Sequence, residues 1–238
     1  MKQAYTVLSK LYDKLMVDFN YQSYYHFISN YIKGNVLELA CGSGMFTKQY
    51  IANADNIIAL DNCNEMLSIA LKNNYKDRKY INFIQADMLT FVPNKKLDTV
   101  LCVCDGINYI SQTDIDILFG NVFSYLNRDS YFIFDISSEY KLKEIIASNV
   151  FYEDNDEFTY LWTNELKKNS IEMDITLFNR VSDVYTREDE VHRQFIHNTI
   201  DIVNALEKAG FEVRTYDGEN FNTNHEHSKR VIYICYKR

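Results

Sequence analysis

The 238-residue sequence predicts an α/β fold, with a mostly parallel, doubly wound sheet and a small inserted antiparallel sheet. Short apolar strands alternate with amphipathic helices over residues 36–147, which is typical of parallel strands covered on both faces. Over residues 148–197 apolar and polar side chains alternate instead, which indicates half-exposed antiparallel strands. The helix–strand pattern resumes at 198–238. We therefore expect one α/β domain, residues 1–147 and 198–238, interrupted by an inserted sheet.

Two helices are predicted before the first strand, over residues 4–17 and 21–33, because apolar side chains recur there at three- and four-residue steps. We expect a helical cap, residues 1–33, with Gly34 ending its second helix. The last two strands have only a loop between them, which predicts an antiparallel pair at the sheet edge. The intervening elements are predicted as strands at 36–40, 57–60, 81–85, 97–103 and 131–136, and as helices at 45–52, 65–71, 113–126 and 140–147.

Composition narrows the classes of function. A net charge of −8 disfavours a dedicated nucleic-acid binder, which usually presents a basic face. No apolar run approaches the ~20 residues of a membrane span, and the N-terminus lacks a signal-peptide pattern. We therefore expect a cytoplasmic protein without a membrane partner. Cys102 and Cys104 form an isolated C-x-C, and His225 and His227 lie in a polar loop, so no metal site is predicted.

The stretch VLELACGSG places Gly42 and Gly44 in a turn after the first predicted strand. A dinucleotide fingerprint would carry a third glycine where Thr47 stands. Glu38 lies inside the strand, and its carboxylate would repel a pyrophosphate there. A cofactor with a cationic amino-acid end and no phosphates would tolerate that charge. The turn thus favours S-adenosylmethionine (SAM) over NAD, with a plain βα turn as the alternative.

Acidic residues also follow the second and third predicted strands. Asp61 lies 19 residues after Gly42, where a carboxylate can accept both hydroxyls of a ribose in either cofactor. Asp87, beside the backbone of Met88, could bind an adenine, although a lone turn aspartate is equally ordinary. Because parallel strands present their carboxyl ends at one sheet edge, these residues and Glu38 should lie together.

The motifs VLELACGSG, IIALDNCNEML and IQADM resemble, in order, those of the class I SAM-dependent methyltransferases. The resemblance spans about residues 35–136 and resumes at 198–238. It implies a Rossmann-like sheet of seven strands, the last of them antiparallel. It also implies a SAM site, with S-adenosylhomocysteine (SAH) as product. The cofactor-binding residues predicted for this sequence are Tyr12, Tyr21, Glu38, Ala40, Cys41, Gly42, Gly44, Asp61, Asn62, Met66, Asp87, Met88, Cys104 and Asp105.

A narrower resemblance concerns the methyl acceptor. LCVCDGINYI is similar to the fourth motif of small-molecule methyltransferases and lacks the proline-containing tetrad of enzymes that methylate nucleobase or glutamine nitrogens. The N-terminal region and EVHRQF resemble a group that includes sugar-amine and glycine N-methyltransferase-like proteins. The resemblance implies an inserted sheet, residues 148–197, that covers the active site. It also implies an N-terminal tyrosine near the sulfonium, with Tyr12 favoured over Tyr5 and Tyr21.

The resemblance implies Tyr12 as a catalytic candidate, and His192 and His197 are candidates because an acceptor hydroxyl needs a general base. The two histidines could equally be ordinary strand-face residues. Asp105 could bind the SAM ammonium, which we favour over a catalytic role, and Arg193 could hold a substrate carboxylate or face solvent. The sequence thus predicts methyl transfer to a nitrogen or oxygen of a small molecule. The alternatives are a non-catalytic SAM-binding protein, an RNA methyltransferase or an NAD-dependent oxidoreductase. The sequence does not determine an oligomeric state.

Overall fold

A computed structural model describes residues 4–77 and 79–238 of the chain. Its central feature is a seven-stranded sheet with the strand order β10-β11-β5-β4-β1-β2-β3. Five neighbouring strands are parallel, and β11 runs antiparallel to both β5 and β10. The strands of this sheet are β1 (Gly34–Leu39), β2 (Ala54–Asp61), β3 (Ile81–Gln85), β4 (Leu97–Cys102), β5 (Leu126–Ser137), β10 (Glu212–Asp217) and β11 (Arg230–Lys237). The predicted seven-stranded α/β fold is confirmed.

Helices cover both faces of this sheet. On one face α4 and α5 enclose a core that includes Leu118, Phe119 and Leu206, and on the other α2 contributes Tyr24 and Ile28. The α-helices are α1 (Ser9–Leu15), α2 (Tyr21–Ile28), α3 (Asn64–Asn73), α4 (Gln112–Tyr125) and α5 (Thr199–Ala209). Within residues 4–77 and 79–238, no helix combines the length and apolarity that crossing a membrane requires.

The prediction of a helix over residues 45–52 was wrong. This segment forms two 3₁₀ turns, Thr47–Gln49 and Ile51–Asn53. Thr47 and Tyr50 both donate a hydrogen bond to Glu38, and residues three apart share one face of a 3₁₀ turn. The tertiary hydrogen bonds to a buried carboxylate thus favour the tighter turn over an α-helix.

The second predicted helix also ends earlier than expected. The α2 helix stops at Ile28, and Gly34 begins β1 with a φ of +64° instead of capping a helix. A Cβ at Gly34 would lie 2.2 Å from Oδ2 of Asp98, an oxygen that accepts a hydrogen bond from the backbone of Asn35. Gly34 is therefore required by the strand contact and not by a helix end. The predicted helix at 140–147 is a short π-helical turn, Lys141–Ile146.

The insertion forms a separate antiparallel sheet of four strands, in the order β6-β7-β8-β9. The N-terminal segment, residues 4–15, packs against this sheet, since Val7 and Leu11 share an apolar cluster with Phe158 and Leu177. Lys10 also forms an ion pair with Glu188 at 2.6 Å. The strands of this inserted sheet are β6 (Phe151–Asp154), β7 (Phe158–Leu166), β8 (Ser170–Val181) and β9 (Val184–Phe195).

Candidate active site

The turn after β1 is built from backbone in the left-handed region. Ala40, Gly42 and Gly44 have φ values of +51°, +55° and +70°. A side chain at Gly44 would also meet α3, because its Cβ would lie 2.6 Å from Nδ2 of Asn74. The amide of Gly42 donates a hydrogen bond to Oδ2 of Asp61 at 2.9 Å, which fixes the turn to the end of β2. The two glycines thus give the turn its shape and its packing against α3.

Glu38 is the buried carboxylate beneath this turn. Its Oε2 accepts hydrogen bonds from the hydroxyls of Thr47 and Tyr50, both at 2.7 Å. Burial raises the pKa of Glu38 to about 7, although these hydrogen bonds favour the ionised form. Both bonds end on Oε2, so Oε1 is available to a further donor. A cationic group there would favour ionisation of the carboxyl.

Asp61 and Asp87 lie at the carboxyl ends of β2 and β3. Asp61 accepts backbone hydrogen bonds on both oxygens, from Gly42 at 2.9 Å and from Cys63 at 2.8 Å. Burial nevertheless raises the pKa of Asp61. Asp87 is exposed and accepts a hydrogen bond from the backbone of Leu89 at 2.8 Å, which closes a local turn. Both carboxylates are therefore held in fixed positions by backbone amides.

Three adjoining chambers open along this edge of the sheet. The first chamber lies beside the β1 turn, and within residues 4–77 and 79–238 its lining side chains include Glu38 and Asp61 but no basic residue. Most of the predicted cofactor residues meet here. Those that line the first chamber are Tyr12, Tyr21, Glu38, Ala40, Cys41, Gly42, Asp61, Met66 and Cys104.

The second chamber continues from the first along β2 and β3. It is lined by Asp61, Asn62, Asp87 and Met88, and by apolar residues such as Ile110; none of the described residues that line it is basic. These are the residues that the sequence predicts for a ribose and an adenine. Gly44 lines none of the three chambers, because it packs against α3.

An ion cluster lies beyond the end of β4. Asp105 accepts hydrogen bonds from Nη1 and Nη2 of the Arg230 guanidinium, at 2.6 Å and 3.2 Å. Arg230 also pairs with the fully buried Asp135. Asp135 accepts the backbone amides of Cys104 and Asp105 at 3.0 Å and 3.1 Å. Burial opposes ionisation of Asp105, but the Arg230 charge outweighs it and lowers the pKa of that carboxyl. Asp105 is thus neutralised by a residue from β11.

The third chamber lies between the N-terminal segment, the inserted sheet and this ion cluster. The inserted sheet contributes apolar side chains to its lining, namely Tyr160, Trp162, Met173 and Ile175. The α/β core contributes charged side chains, namely Asp105, Lys141 and Arg230. The third chamber is therefore part apolar and part charged. Four residues line both the first and the third chambers, namely Tyr5, Tyr12, Cys104 and Tyr109.

His192 lies on β9 and lines the third chamber, but its ring nitrogens are both engaged. Nε2 pairs with Glu190, and Nδ1 lies 2.9 Å from the hydroxyl of Tyr109. Glu190 also accepts the backbone amides of Tyr5 at 2.8 Å and Val7 at 2.5 Å. The N-terminal segment and the inserted sheet thus meet at one buried carboxylate.

The structure does not bring His197 to the chambers. Its Nδ1 lies 3.1 Å from Oε1 of Gln112, and the residue lines none of the three chambers. We therefore assign His197 no catalytic role. Arg193 pairs with Glu172 on the exposed face of the inserted sheet. Across residues 4–77 and 79–238, no three His, Cys, Asp or Glu side chains are placed to hold a metal ion.

The sequence reasoning missed Tyr109, Glu190 and Arg230. A signal existed for Tyr109, since it belongs to GINYI, directly after a predicted strand end. Glu190 stands in the acidic run EDE, and nothing in that run distinguishes a buried carboxylate from a solvated one. Arg230 reaches the site only through the pairing of β11 with β5.

The residues present fit SAM. Among the described residues, the first chamber combines the buried Glu38 and the half-buried Asp61 with no basic side chain, which suits an ammonium and disfavours a pyrophosphate. Oε1 of Glu38 would accept from an ammonium, and tyrosine rings would suit a sulfonium through cation–π attraction. Asp61 and the Asp87–Met88 segment line the second chamber, where they would face the ribose and the adenine.

Comparisons with known proteins agree with this geometry. Residues 36–129 match a family described as a methyltransferase domain. A protein of Geobacillus sp. (strain WCH70), named as a candidate methyltransferase, is 26% identical, and the alignment covers 98% of this chain and 100% of the relative.

Two solved structures extend the likeness to the fold. A SAM-dependent methyltransferase from Clostridium acetobutylicum ATCC 824 is 29% identical, with a TM-score of 0.89 and 99% of each chain covered. SAM-bound CalS10, an amino pentose methyltransferase from Micromonospora echinaspora, is 12% identical, with a TM-score of 0.74, covering 98% of this chain and 99% of that one.

Proposed function

We propose that this chain, which is similar over nearly its whole length to SAM-dependent methyltransferases, uses SAM to methylate a nitrogen or oxygen of a small molecule bound in the third chamber. One observation carries this proposal. The third chamber adjoins the first at Tyr5, Tyr12 and Tyr109, so an acceptor there would lie beside the methionine end of the cofactor. Holding the two reactants side by side is most of what methyl transfer requires.

The residues of the first two chambers would hold the cofactor. Glu38 would bind the ammonium through Oε1, Asp61 would accept the ribose hydroxyls, and the Asp87–Met88 segment would contact adenine. Tyr12 and Tyr21 would place their rings beside the sulfonium. When bound, SAM supplies a methyl group already activated for attack by a nucleophile.

The inserted sheet would cover the acceptor. Its aromatic and aliphatic side chains wall one side of the third chamber, which would exclude water from the reacting atoms. Lys141 and the Asp105–Arg230 pair face them and offer polar partners for substituents of the acceptor. The likeness to an amino pentose methyltransferase gives amino sugars first place among acceptors to be tested.

The proposal is tested by calorimetry followed by a screen. The purified protein should bind SAH tightly and NADH not at all. It should then release SAH from SAM in the presence of at least one amino sugar, amino acid or phenol. SAH binding without turnover across the whole screen would instead indicate a non-catalytic SAM-binding protein.

A further inference from the structure

We propose that Tyr109 is the group that takes the acceptor's proton, and that it passes its own hydroxyl proton to Nδ1 of His192. This inference rests on the proposed methyl transfer and adds the route of the proton. Tyr109 lines all three chambers and so borders both the cofactor and the acceptor spaces, and its hydroxyl lies beside His192, a residue that lines the third chamber. His192, by contrast, lines only the third of them, and both of its nitrogens are already engaged.

The geometry forms a continuous chain of hydrogen bonds. The Tyr109 hydroxyl is 2.9 Å from Nδ1 of His192, and Nε2 of that ring pairs with Glu190. His192 and Glu190 are both about 2% exposed, so water does not replace these bonds. The two side chains point to the same side of β9 because they are two residues apart.

The charge of Glu190 decides the tautomer of His192. Burial opposes ionisation of Glu190, but hydrogen bonds from His192 and the amides of Val7 and Tyr5 lower its pKa. An ionised carboxylate only accepts hydrogen bonds, so Nε2 must carry the hydrogen of the neutral ring. Nδ1 is then an acceptor, and the Tyr109 hydroxyl donates to it.

The oxygen of Tyr109 keeps acceptor capacity. The Tyr5 hydroxyl is 2.9 Å away and can donate to it, and the amide of Gln194 also approaches it. Tyr5 and Gln194 both line the third chamber, so an N–H or O–H of a bound acceptor can take the place of one of them. The proton-accepting atom is therefore the oxygen of Tyr109.

The proton and the methyl group balance as follows. The acceptor forms a bond to the methyl carbon as the carbon–sulfur bond breaks, and the sulfur keeps the electron pair of that bond. The acceptor's proton goes to the oxygen of Tyr109, whose own proton goes to Nδ1 of His192. The imidazolium formed is stabilised by the Glu190 carboxylate, which stays ionised.

The first test reads the tautomer and needs no acceptor. The protein carries five histidines, and ¹⁵N-histidine labelling of the SAH-saturated protein resolves their ring nitrogens. The resonances lost in His192→Gln are those of His192. We expect a hydrogen on Nε2, and a shift of the Nδ1 resonance in Tyr109→Phe without a change of tautomer. A hydrogen on Nδ1 in the neutral ring would overturn the relay, because Nδ1 could not then accept a proton.

The second test uses the acceptor that gives the largest SAH release in the screen. Tyr109→Phe should lower kcat about 100-fold, the usual range for losing a general base, while KM changes little. Tyr152→Phe, an exposed tyrosine on the inserted sheet, is the matched control and should not change kcat. Retention of most of kcat in Tyr109→Phe would contradict the proposal.

The pH profile separates a proton route from a purely structural role. The ionisable groups that face His192 are Glu190 on β9, Tyr109 after β4 and Tyr5 in the N-terminal segment. Protonation of Nδ1 removes the acceptor for the Tyr109 proton, so kcat of the wild type should fall towards acid pH. His192→Gln should lower kcat and lose this acid limb, whereas His26→Gln, at an exposed position on α2, should keep it.

The two proposals fail in different ways. If no acceptor releases SAH with the wild type, the proposed function fails, and the tautomer of His192 still decides the relay. If the wild type methylates an acceptor but Tyr109→Phe keeps the same kcat and acid limb, only the relay fails.

Discussion

Two regions of this molecule form the site by different means. At the carboxyl edge of the seven-stranded sheet, short turns and strand ends present Glu38, Gly42 and Asp61 to the first chamber. In the inserted sheet, long strands present Trp162, His192 and other alternate side chains to the third chamber. The first region holds its carboxylates with nearby backbone amides and hydroxyls. The second is held by contacts with the N-terminal segment, far away in sequence.

This difference suggests that cofactor binding depends on a backbone that tolerates few changes, whereas acceptor selection depends on side chains that can be exchanged. A turn that fixes carboxylates by local hydrogen bonds suits one ligand, because few positions can change without losing the turn. A strand face that lines a chamber can change side chain by side chain without changing the backbone. We therefore expect cofactor binding and acceptor selection to respond separately to substitution, and the following predictions test that separation.

The largest effect is expected at Arg230, which lies in the ion cluster of the core sheet and lines the third chamber. Arg230→Met would leave the buried Asp105 and Asp135 without their cation, which typically costs about 3–5 kcal/mol of unfolding free energy. For a chain of this size that corresponds to a fall in Tm of about 10 °C, measurable by calorimetry. Arg238→Met is the control, because the side chain of Arg238 is exposed, and Tm should not change. A Tm equal to that of the control would show that the cluster does not stabilise the fold.

The next effect concerns the cofactor region alone. Asp61→Ala would remove the acceptor of two backbone amides and of the proposed ribose hydroxyls, so SAH affinity should fall about 100-fold. Titration calorimetry with SAH measures this. Asp55→Ala, at an exposed position of the same strand, should bind SAH as the wild type does. Near-normal binding by Asp61→Ala would contradict our assignment of this residue.

A smaller effect should appear as a pH dependence of cofactor binding. Burial raises the pKa of Glu38 to about 7, and in our proposal the ammonium of SAH would bind its ionised carboxylate. Binding therefore releases a proton near neutral pH, and affinity should rise as pH rises through the pKa. We expect about 10-fold weaker SAH binding at about pH 6 than at about pH 8. Glu38→Gln should bind more weakly at the higher pH and lose this dependence; an unchanged slope would exclude Glu38 as its origin.

The smallest effect is expected on the acceptor side. Trp162→Ala would remove an aromatic wall of the third chamber, and KM for the acceptor should rise several-fold, in line with the usual value of one aromatic contact. SAH affinity should stay unchanged. Leu161→Ala is the matched control, since the neighbouring residue on β7 lies on the opposite, exposed face. A parallel loss of SAH affinity in Trp162→Ala would contradict the separation of the two regions.

Much of the α/β core could be predicted, because its signals are local. Apolar strands of four to seven residues and acidic strand ends identify the carboxyl edge of a parallel sheet, and most predicted cofactor residues do line the first or second chamber. The helix predicted at 45–52 failed because the hydrogen bonds of Thr47 and Tyr50 to Glu38 are tertiary contacts. The spacing of apolar residues within this eight-residue segment gives no sign of those hydrogen bonds.

The acceptor region could be predicted only as a sheet. Alternation along EDEVHRQF indicates a strand, but it does not tell which face is buried. The pairing of Met173 with His192 and the amides of Tyr5 and Val7 decide that Glu190 and His192 face inward.

The sequence by itself determined the pattern of strands and turns in the core, because apolar strands, glycine turns and strand-end carboxylates are local signals. It thereby indicated the resemblance to SAM-dependent methyltransferases and SAM as the cofactor. Only the tertiary structure decided which distant ionisable groups meet: Arg230 with Asp105, and Tyr109 with His192. Those pairs join residues more than 80 positions apart, so their contact depends on how the sheets and the N-terminal segment pack and not on any local pattern.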